Sequence, residues 1–484
     1  MASTRRGAVV AAAMGCLVLS GCFGGDDPAP PGVATTALAD VPGDGIGDPY
    51  YPDDGNRGYY VKHYRVDLDY FRETTSIRAT ATLVATSTQR LRSFDLDLLG
   101  LTVTAVSVDG TAADFSRVAP HELVITPARP VDSGRRFVTR VSYHGKPSTN
   151  PGNQMRSGWF DADTPGAGFI AGEPHSCTVW YPCNDHPTDK ATFELRATVP
   201  RPFSVVSNGA QLPTTSATRP DGTRVRTFHW KLDEPTATYL TTMYVDRLRI
   251  DRSTLPDRTP VVSAYGPEPG SSVVREAKLP EILSVLSDYW GPYPAPQAGG
   301  IFVNGDIDFS LETYTRPTYI EGVDVSTIVH ENAHQWWGDN VSVERWRDIC
   351  LNECLATYSQ WLWAEHNGSD LDAYYRAGVS GDQTFFDYPL YDMGPGHEFD
   401  FKGVYLKGSF FVHALRNKIG DDEFFAAMRA IQAEHAGGNL SMDDLRTILE
   451  DKTGVDLDGF WDEWVLSTGV PSDENLYPGD LAGG

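Results

Sequence analysis

Val329-His330-Glu331-Asn332-Ala333-His334 is the stretch on which the reading of this chain turns. Two histidines four positions apart share one face of a helix, so both imidazoles can reach a single ion. Apolar spacing across 324–337 predicts that helix. Glu331 lies beside the first histidine, where it can touch a water on the metal without ligating the metal. Zinc brings the pKa of such a water to about 7, and a carboxylate can then take its proton. A third ligand is needed, and Glu353 supplies it 19 positions beyond His334, on a second predicted helix at 348–366. Composition alone would produce the motif with a glutamate at that later position in about one chain in two thousand of this length. The pattern predicts one zinc ion per chain, with His330, His334 and Glu353 as ligands and Glu331 as general base.

Around this core the chain of 484 residues is too long for one compact body. From Tyr59 to about Ile250 it alternates in strand fashion, for example at 101–108, 122–126, 137–143, 192–199 and 227–232, with Gly, Pro and Asp between. Beyond Pro256 the period becomes helical, at 272–290, 404–419, 422–435, 443–453 and 456–465. Ser441 and Gly454 are placed to cap the helix at 443–453. The expected order is an antiparallel β-domain over 51–255, a mainly helical domain over 256–470 and a tail at 471–484.

The N-terminus carries a different signal. Arg5 and Arg6 precede an apolar run from Ala8 to Leu19 that is too short to span a bilayer comfortably. Leu19-Ser20-Gly21-Cys22 resembles the lipobox of a bacterial lipoprotein, which implies cleavage before Cys22 and acylation of its thiol. Residues 1–21 are then a signal peptide, and the Gly- and Pro-rich stretch 22–50 a flexible tether. The expected location is outside the cytoplasm, held to the outer face of a membrane by lipid alone. Forty Lys+Arg against 65 Asp+Glu give a net charge of -25, which argues against nucleic acid as a partner. Four cysteines remain in the mature domains. An even number outside the cytoplasm favours disulfides, and of the three connectivities the close pairs Cys177–Cys183 and Cys350–Cys354 are preferred. A cysteine zinc site is the rival reading.

His-Glu-x-x-His, eighteen residues, then Glu resembles the gluzincin aminopeptidases of the aminopeptidase N family. His334-Gln335-Trp336-Trp337-Gly338-Asp339, Leu351-Asn352-Glu353 and Pro182-Cys183-Asn184-Asp185-His186-Pro187 with Lys190-Ala191-Thr192-Phe193 agree with it. Gly403-Val404-Tyr405-Leu406-Lys407-Gly408 resembles that family's tyrosine motif. The resemblance implies a saddle-shaped β-domain followed by a thermolysin-like catalytic domain, with the site between them. It implies Tyr405 as the hydroxyl that stabilises the oxyanion, and two glutamates that bind the substrate's α-ammonium. Those positions fall on Glu312, in Phe309-Ser310-Leu311-Glu312-Thr313, and on Glu173. The first stretch lacks the family's glycine, methionine and asparagine, so the loop geometry departs from the family pattern. Trp336 and Trp337 read as packing, Lys407 as structural or solvated, and Asp339 as a partner of a zinc histidine or a helix-end residue.

The resemblance implies an aminopeptidase acting on peptides with a free N-terminus. An endopeptidase on the same zinc site and a non-catalytic peptide-binding lipoprotein are the alternatives. Side-chain preference and oligomeric state are not encoded in any motif.

Overall fold

The computed structural model describes residues 45–118, 121–150 and 156–483. Cys22 and the signal segment lie outside the described residues.

An eight-stranded sheet forms the first half, in the order Ala210–Thr218, Arg224–Thr236, Ala191–Pro200, Tyr59–Phe71, Ser76–Ser87, Arg136–Gly145, Thr102–Val108, Thr111–Ala112. Tyr59–Phe71 alternates buried and solvent-facing side chains, as its sequence period requires. The sheet is not wholly antiparallel, contrary to the sequence expectation. Tyr59–Phe71 and Ala191–Pro200 run parallel, with His63 opposite Thr192. More than a hundred intervening residues make the crossover that parallel pairing needs, and local alternation does not encode strand direction. A five-stranded sheet (Ser204–Ser207, Met243–Asp246, Gly168–Ala171, Ser157–Asp161, Thr149–Asn150) and a three-stranded one (Phe94–Asp97, Glu122–Thr126, Asp114–Val118) complete the β part.

The helical part opens on a small sheet. Arg249–Thr254 pairs with Pro260–Tyr265, which continues to Ile301–Phe302 and Thr318–Tyr319. The helix expected over 272–290 is two, Ser272–Glu276 and Leu279–Trp290. Pro280 has no N–H to give, which suits the first turn of a new helix and not the middle of an old one. The expected helix at 443–453 is Met442–Thr453, with the Ser441 side chain accepting from Asp444 N and Gly454 left-handed at its end. The helix Leu371–Val379 is not in the sequence reading. Its signals are present: Asp370 accepts from Ala373 N, and Leu371, Tyr375 and Val379 are buried at helical spacing.

Both ends of the described chain pack more closely than their composition suggests. The tether expected over 22–50 does not reach residue 50 as a free segment. Asp48 accepts from Trp346 N at 2.9 Å, and Tyr50 and Tyr51 are buried. The Tyr50 hydroxyl donates to Asp392 at 3.0 Å and accepts from Gly394 N, while Tyr51 donates to Glu398. Aromatic area and a carboxylate aimed at free N–H groups hold this arm on the helical part. Residues 471–483 are likewise no loose tail: Leu476 and Leu481 are buried, and the Tyr375 hydroxyl donates to the Leu476 carbonyl.

A lysine is one of the cations that join the two halves. Lys190, at the head of the strand Ala191–Pro200, sends its ammonium to the carbonyls of Asp339, Asn340 and Gly438 at 2.9–3.1 Å. Burial pulls its pKa down to about 7, and its bonds anchor the turn after the His330 helix and the turn at Gly438 to the β part.

Candidate active site

The helix Val325–Ala333 begins at Asp324, whose carboxylate accepts from Thr327 N at 2.8 Å. It ends one residue before His334, which keeps helical backbone angles, so the four-residue spacing still puts both rings on one face. The two Nε2 atoms lie 3.1 Å apart. Glu353, in the first turn of Cys350–His366, places Oε2 at 3.2 Å from His330 Nε2 and 3.5 Å from His334 Nε2. Tetrahedral bonds of about 2.0–2.1 Å separate neighbouring ligand atoms by about 3.3 Å. The three atoms therefore have the spacing of one face of a zinc site.

Second contacts fix this face. The other nitrogen of His334, Nδ1, faces the Trp337 carbonyl at 2.9 Å. Gly338, at φ 128°, allows the turn that brings this carbonyl back, and a Cβ there would crowd His334 Nδ1. Asp339 is not the imidazole's partner. It accepts from Gln335 Nε2 at 2.5 Å, and Gln335 also donates to the Glu312 carbonyl. Trp336 and Trp337 are fully buried, as expected of packing residues. On the ligand helix, disulfide Cys350–Cys354 brackets Glu353, and Cys177–Cys183 is the other pair.

The remaining residues singled out in the sequence gather here. Oxygens of Glu331 and Glu312 lie within 4.8 Å of each other and of a His334 nitrogen. Glu312 is buried and accepts from the Tyr239 hydroxyl at 3.1 Å. Tyr239 carries no sequence signal for this part, because it arrives from the β-domain. Glu173 is buried, and its Oε1 makes no hydrogen bond. Tyr405 lies in a π-helical turn, Phe401–Lys407, with its ring 6.0 Å from the His330 ring. Gly408 explains how that turn comes so close: a Cβ there would collide with Sγ and Cβ of Cys354. Lys407 donates to the carbonyls of Tyr388 and Ser467 and is structural.

The electrostatics call for cations. Burial pushes the Glu331 carboxyl well above the usual range, and Glu312 and Glu353 add to this. Burial does the same to Glu173, helped by Glu312 and Glu353, and it raises Glu312. At Glu353 the upward push of burial is overcome by His334 and His330, which bring it down to about 2. Burial would lower His334, but Glu353 and Glu312 more than reverse it. Four glutamates out of water around two imidazoles fit a divalent ion together with a positively charged ligand group.

An N-terminal β-domain followed by a helical domain with a His–His–Glu zinc centre defines a class, the two-domain zinc metallopeptidases. Residues 61–240 match the Peptidase M1 N-terminal domain, and residues 314–464 match the Peptidase family M1 domain. An M1 zinc metallopeptidase from Deinococcus radiodurans, solved as a mutant bound to a Tyr-Ser-Ala substrate, superposes with a TM-score of 0.80. It is 30% identical, over 88% of this chain and 99% of that one. A further structure of the M1 zinc metallopeptidase from that organism gives a TM-score of 0.81 at 29% identity, over 88% and 98% of the two chains. Aminopeptidase M1-B of Oryza sativa subsp. japonica is 25% identical over 63% of this chain, and Aminopeptidase N of Lactococcus lactis subsp. cremoris 29% over 39%. The match spans 37% of the rice protein's length and 26% of the lactococcal one's. The chain belongs to peptidase family M1.

Proposed function

We propose that the protein is a zinc aminopeptidase that removes N-terminal residues from peptides. The observation that carries this reading is the pair of buried carboxylates, Glu173 and Glu312, beside the zinc triad. A substrate's α-ammonium is the group that would neutralise them, one residue from the bond to be cut. Peptide binding in the Deinococcus radiodurans relative supports the same substrate class.

His330, His334 and Glu353 would hold the ion. When bound, zinc supplies Lewis acidity, polarising the scissile carbonyl and making a water acidic enough to ionise near neutral pH. The Glu331 carboxylate accepts the proton of the attacking water and returns it to the leaving amine. The Tyr405 hydroxyl donates a hydrogen bond to the developing oxyanion. Burial and the glutamates Glu353 and Glu173 hold that hydroxyl in its protonated form.

Comparing a free peptide with its N-acetylated form tests the reading. A charge-assisted contact contributes about 1.5–3 kcal/mol. Acetylation is therefore expected to lower kcat/KM at least 100-fold, roughly the value for two such contacts at the low end of the range. Equal cleavage of both peptides would instead support an endopeptidase, the reading that the departures at Phe309–Thr313 keep open.

We further propose lipid anchoring at Cys22 outside the cytoplasm, supported by the Leu19-Ser20-Gly21-Cys22 sequence. Among the described residues no helix is long and apolar enough to cross a membrane. Cys22→Ser is expected to move the protein from the membrane to the soluble fraction. An unchanged distribution would sink the anchor.

A further inference from the structure

A second set of ligating side chains is buried in the β-domain, away from the His330–His334–Glu353 triad. Asp97 and Glu122 are direct cross-strand partners between Phe94–Asp97 and Glu122–Thr126. Like charges facing each other across a ladder repel, and here they do so out of water. Asp97 is fully buried and Glu122 is 6% exposed. The ring of His121 sits between them. Its Nε2 lies 3.7 Å from Asp97 Oδ1, 3.8 Å from Glu122 Oε1, 3.6 Å from Asp54 Oδ1 and 3.2 Å from the Asp53 carbonyl oxygen.

Among the described residues no cationic side chain other than histidine pairs with this charge. No lysine or arginine among the described residues forms an ion pair with Asp54, Asp97 or Glu122; their ion-pair partners are His121 and His175, and Asp97 also accepts hydrogen bonds from Asn56 Nδ2 at 3.3 Å and Asp185 N at 2.6 Å. Two imidazoles can carry at most two positive charges, against the carboxylates of Asp54, Asp97, Glu122 and the neighbouring Asp185. Moreover, Glu122 Oε2 is buried and makes no hydrogen bond, although its carboxylate faces the His121 ring. Asp185 Oδ2 is buried and unpaired in the same way. Buried carboxylates in this condition either take up protons or bind a cation.

We infer that His121 Nε2, Asp97 Oδ1 and Glu122 Oε1 form a second divalent-metal site, with Asp54 Oδ1 and the Asp53 carbonyl as further ligands. One ligand atom from each of the three residues lies within 4.8 Å of the others, a span that one ion can bridge with bonds of about 2.0–2.4 Å. An imidazole among oxygen donors favours zinc or a related transition ion over calcium or magnesium. The ion fastens the N-terminal arm to two strands of the β-domain. Through Asp54, whose Oδ2 lies 2.6 Å from His175 Nδ1, it also braces the segment two residues beyond Glu173. Its role is structural. Protons on the carboxylates are the rival account: burial, with Asp95 and Asp54 beside it, pushes Glu122 up to about 8.

Zinc content and thermal unfolding of the full chain decide between them, with no reference to turnover. After loading with zinc alone and gel filtration, the parent chain is expected to hold about two equivalents. The His330→Ala/His334→Ala variant is expected to keep about one, and adding Glu122→Gln or His121→Ala to it removes that one. Zinc added to the chelator-treated His330→Ala/His334→Ala chain should raise Tm saturably, and this rise should vanish with Glu122→Gln. Loss of all zinc from His330→Ala/His334→Ala would overturn the site. So would a Glu122→Gln chain that is more stable than its parent and keeps the same zinc content. If Glu122→Gln fails to fold, the zinc content of His330→Ala/His334→Ala still decides.

Discussion

Glu331→Gln is expected to lower kcat by about 10³–10⁴-fold while leaving the zinc content equal to that of the parent chain. That loss corresponds to about 4–5.5 kcal/mol of transition-state stabilisation. Glutamine has the shape of glutamate but cannot take a proton from water at neutral pH. Glu331 is absent from the His330–His334–Glu353 triangle, so the ligand face survives its replacement. KM should change little, because the α-ammonium contacts assigned to Glu173 and Glu312 are untouched. Steady-state kinetics on an aminoacyl reporter amide, with metal analysis of the same preparation, checks both halves. Parent-like turnover in Glu331→Gln would favour a non-catalytic peptide-binding protein on this scaffold.

Glu353→Ala should fail in the opposite way, by losing the ion. Disturbing a partner that only orients a ligand costs about 10–100-fold in metal affinity, and removing a ligand should cost more than that. Two imidazoles 3.1 Å apart then remain, with Glu331 and Glu312 near them. Activity should fall to background, and excess zinc should restore only part of it. Asp339→Asn is the contrasting control. It alters a carboxylate that holds Gln335 and touches neither zinc histidine, so its zinc affinity should match the parent's. Tight zinc binding in Glu353→Ala, measured by competition with a coloured chelator, would show that the third ligand lies elsewhere.

The clustering of His330, His334 and Glu353 was legible in the sequence because its information is local. His330 and His334 are set by helix periodicity alone, and Glu353 by a second helix at a fixed distance along the chain. The positions proposed to bind the amine needed more. No spacing rule picks out Glu312 or Glu173 from the other acids, and a resemblance was required to name them. Tyr239 was not legible at all, since its hydroxyl meets Glu312 across 73 positions of chain. Asp339 marks the limit of motif reading. It stands in a matching motif, yet the backbone carbonyl of Trp337 takes the place beside His334 that a carboxylate could have filled.

By itself, the sequence determined the elements and their contents: a strand-rich half, a helical half, a triad on two helices and two close cysteine pairs. Each follows from periodicities of two or 3.6 residues, or from short spacings along the chain. Tertiary structure alone decided that Tyr59–Phe71 lies parallel to Ala191–Pro200 and that residues 48–51 clasp the helical part. It also decided that the π-helical turn with Tyr405 closes on the Glu353 helix through Gly408. These depend on which distant surfaces bury one another. The same holds for Asp54, Asp97, His121 and Glu122, which converge from three separate segments. Their proximity has a large electrostatic cost that becomes visible only once the chain has folded around them.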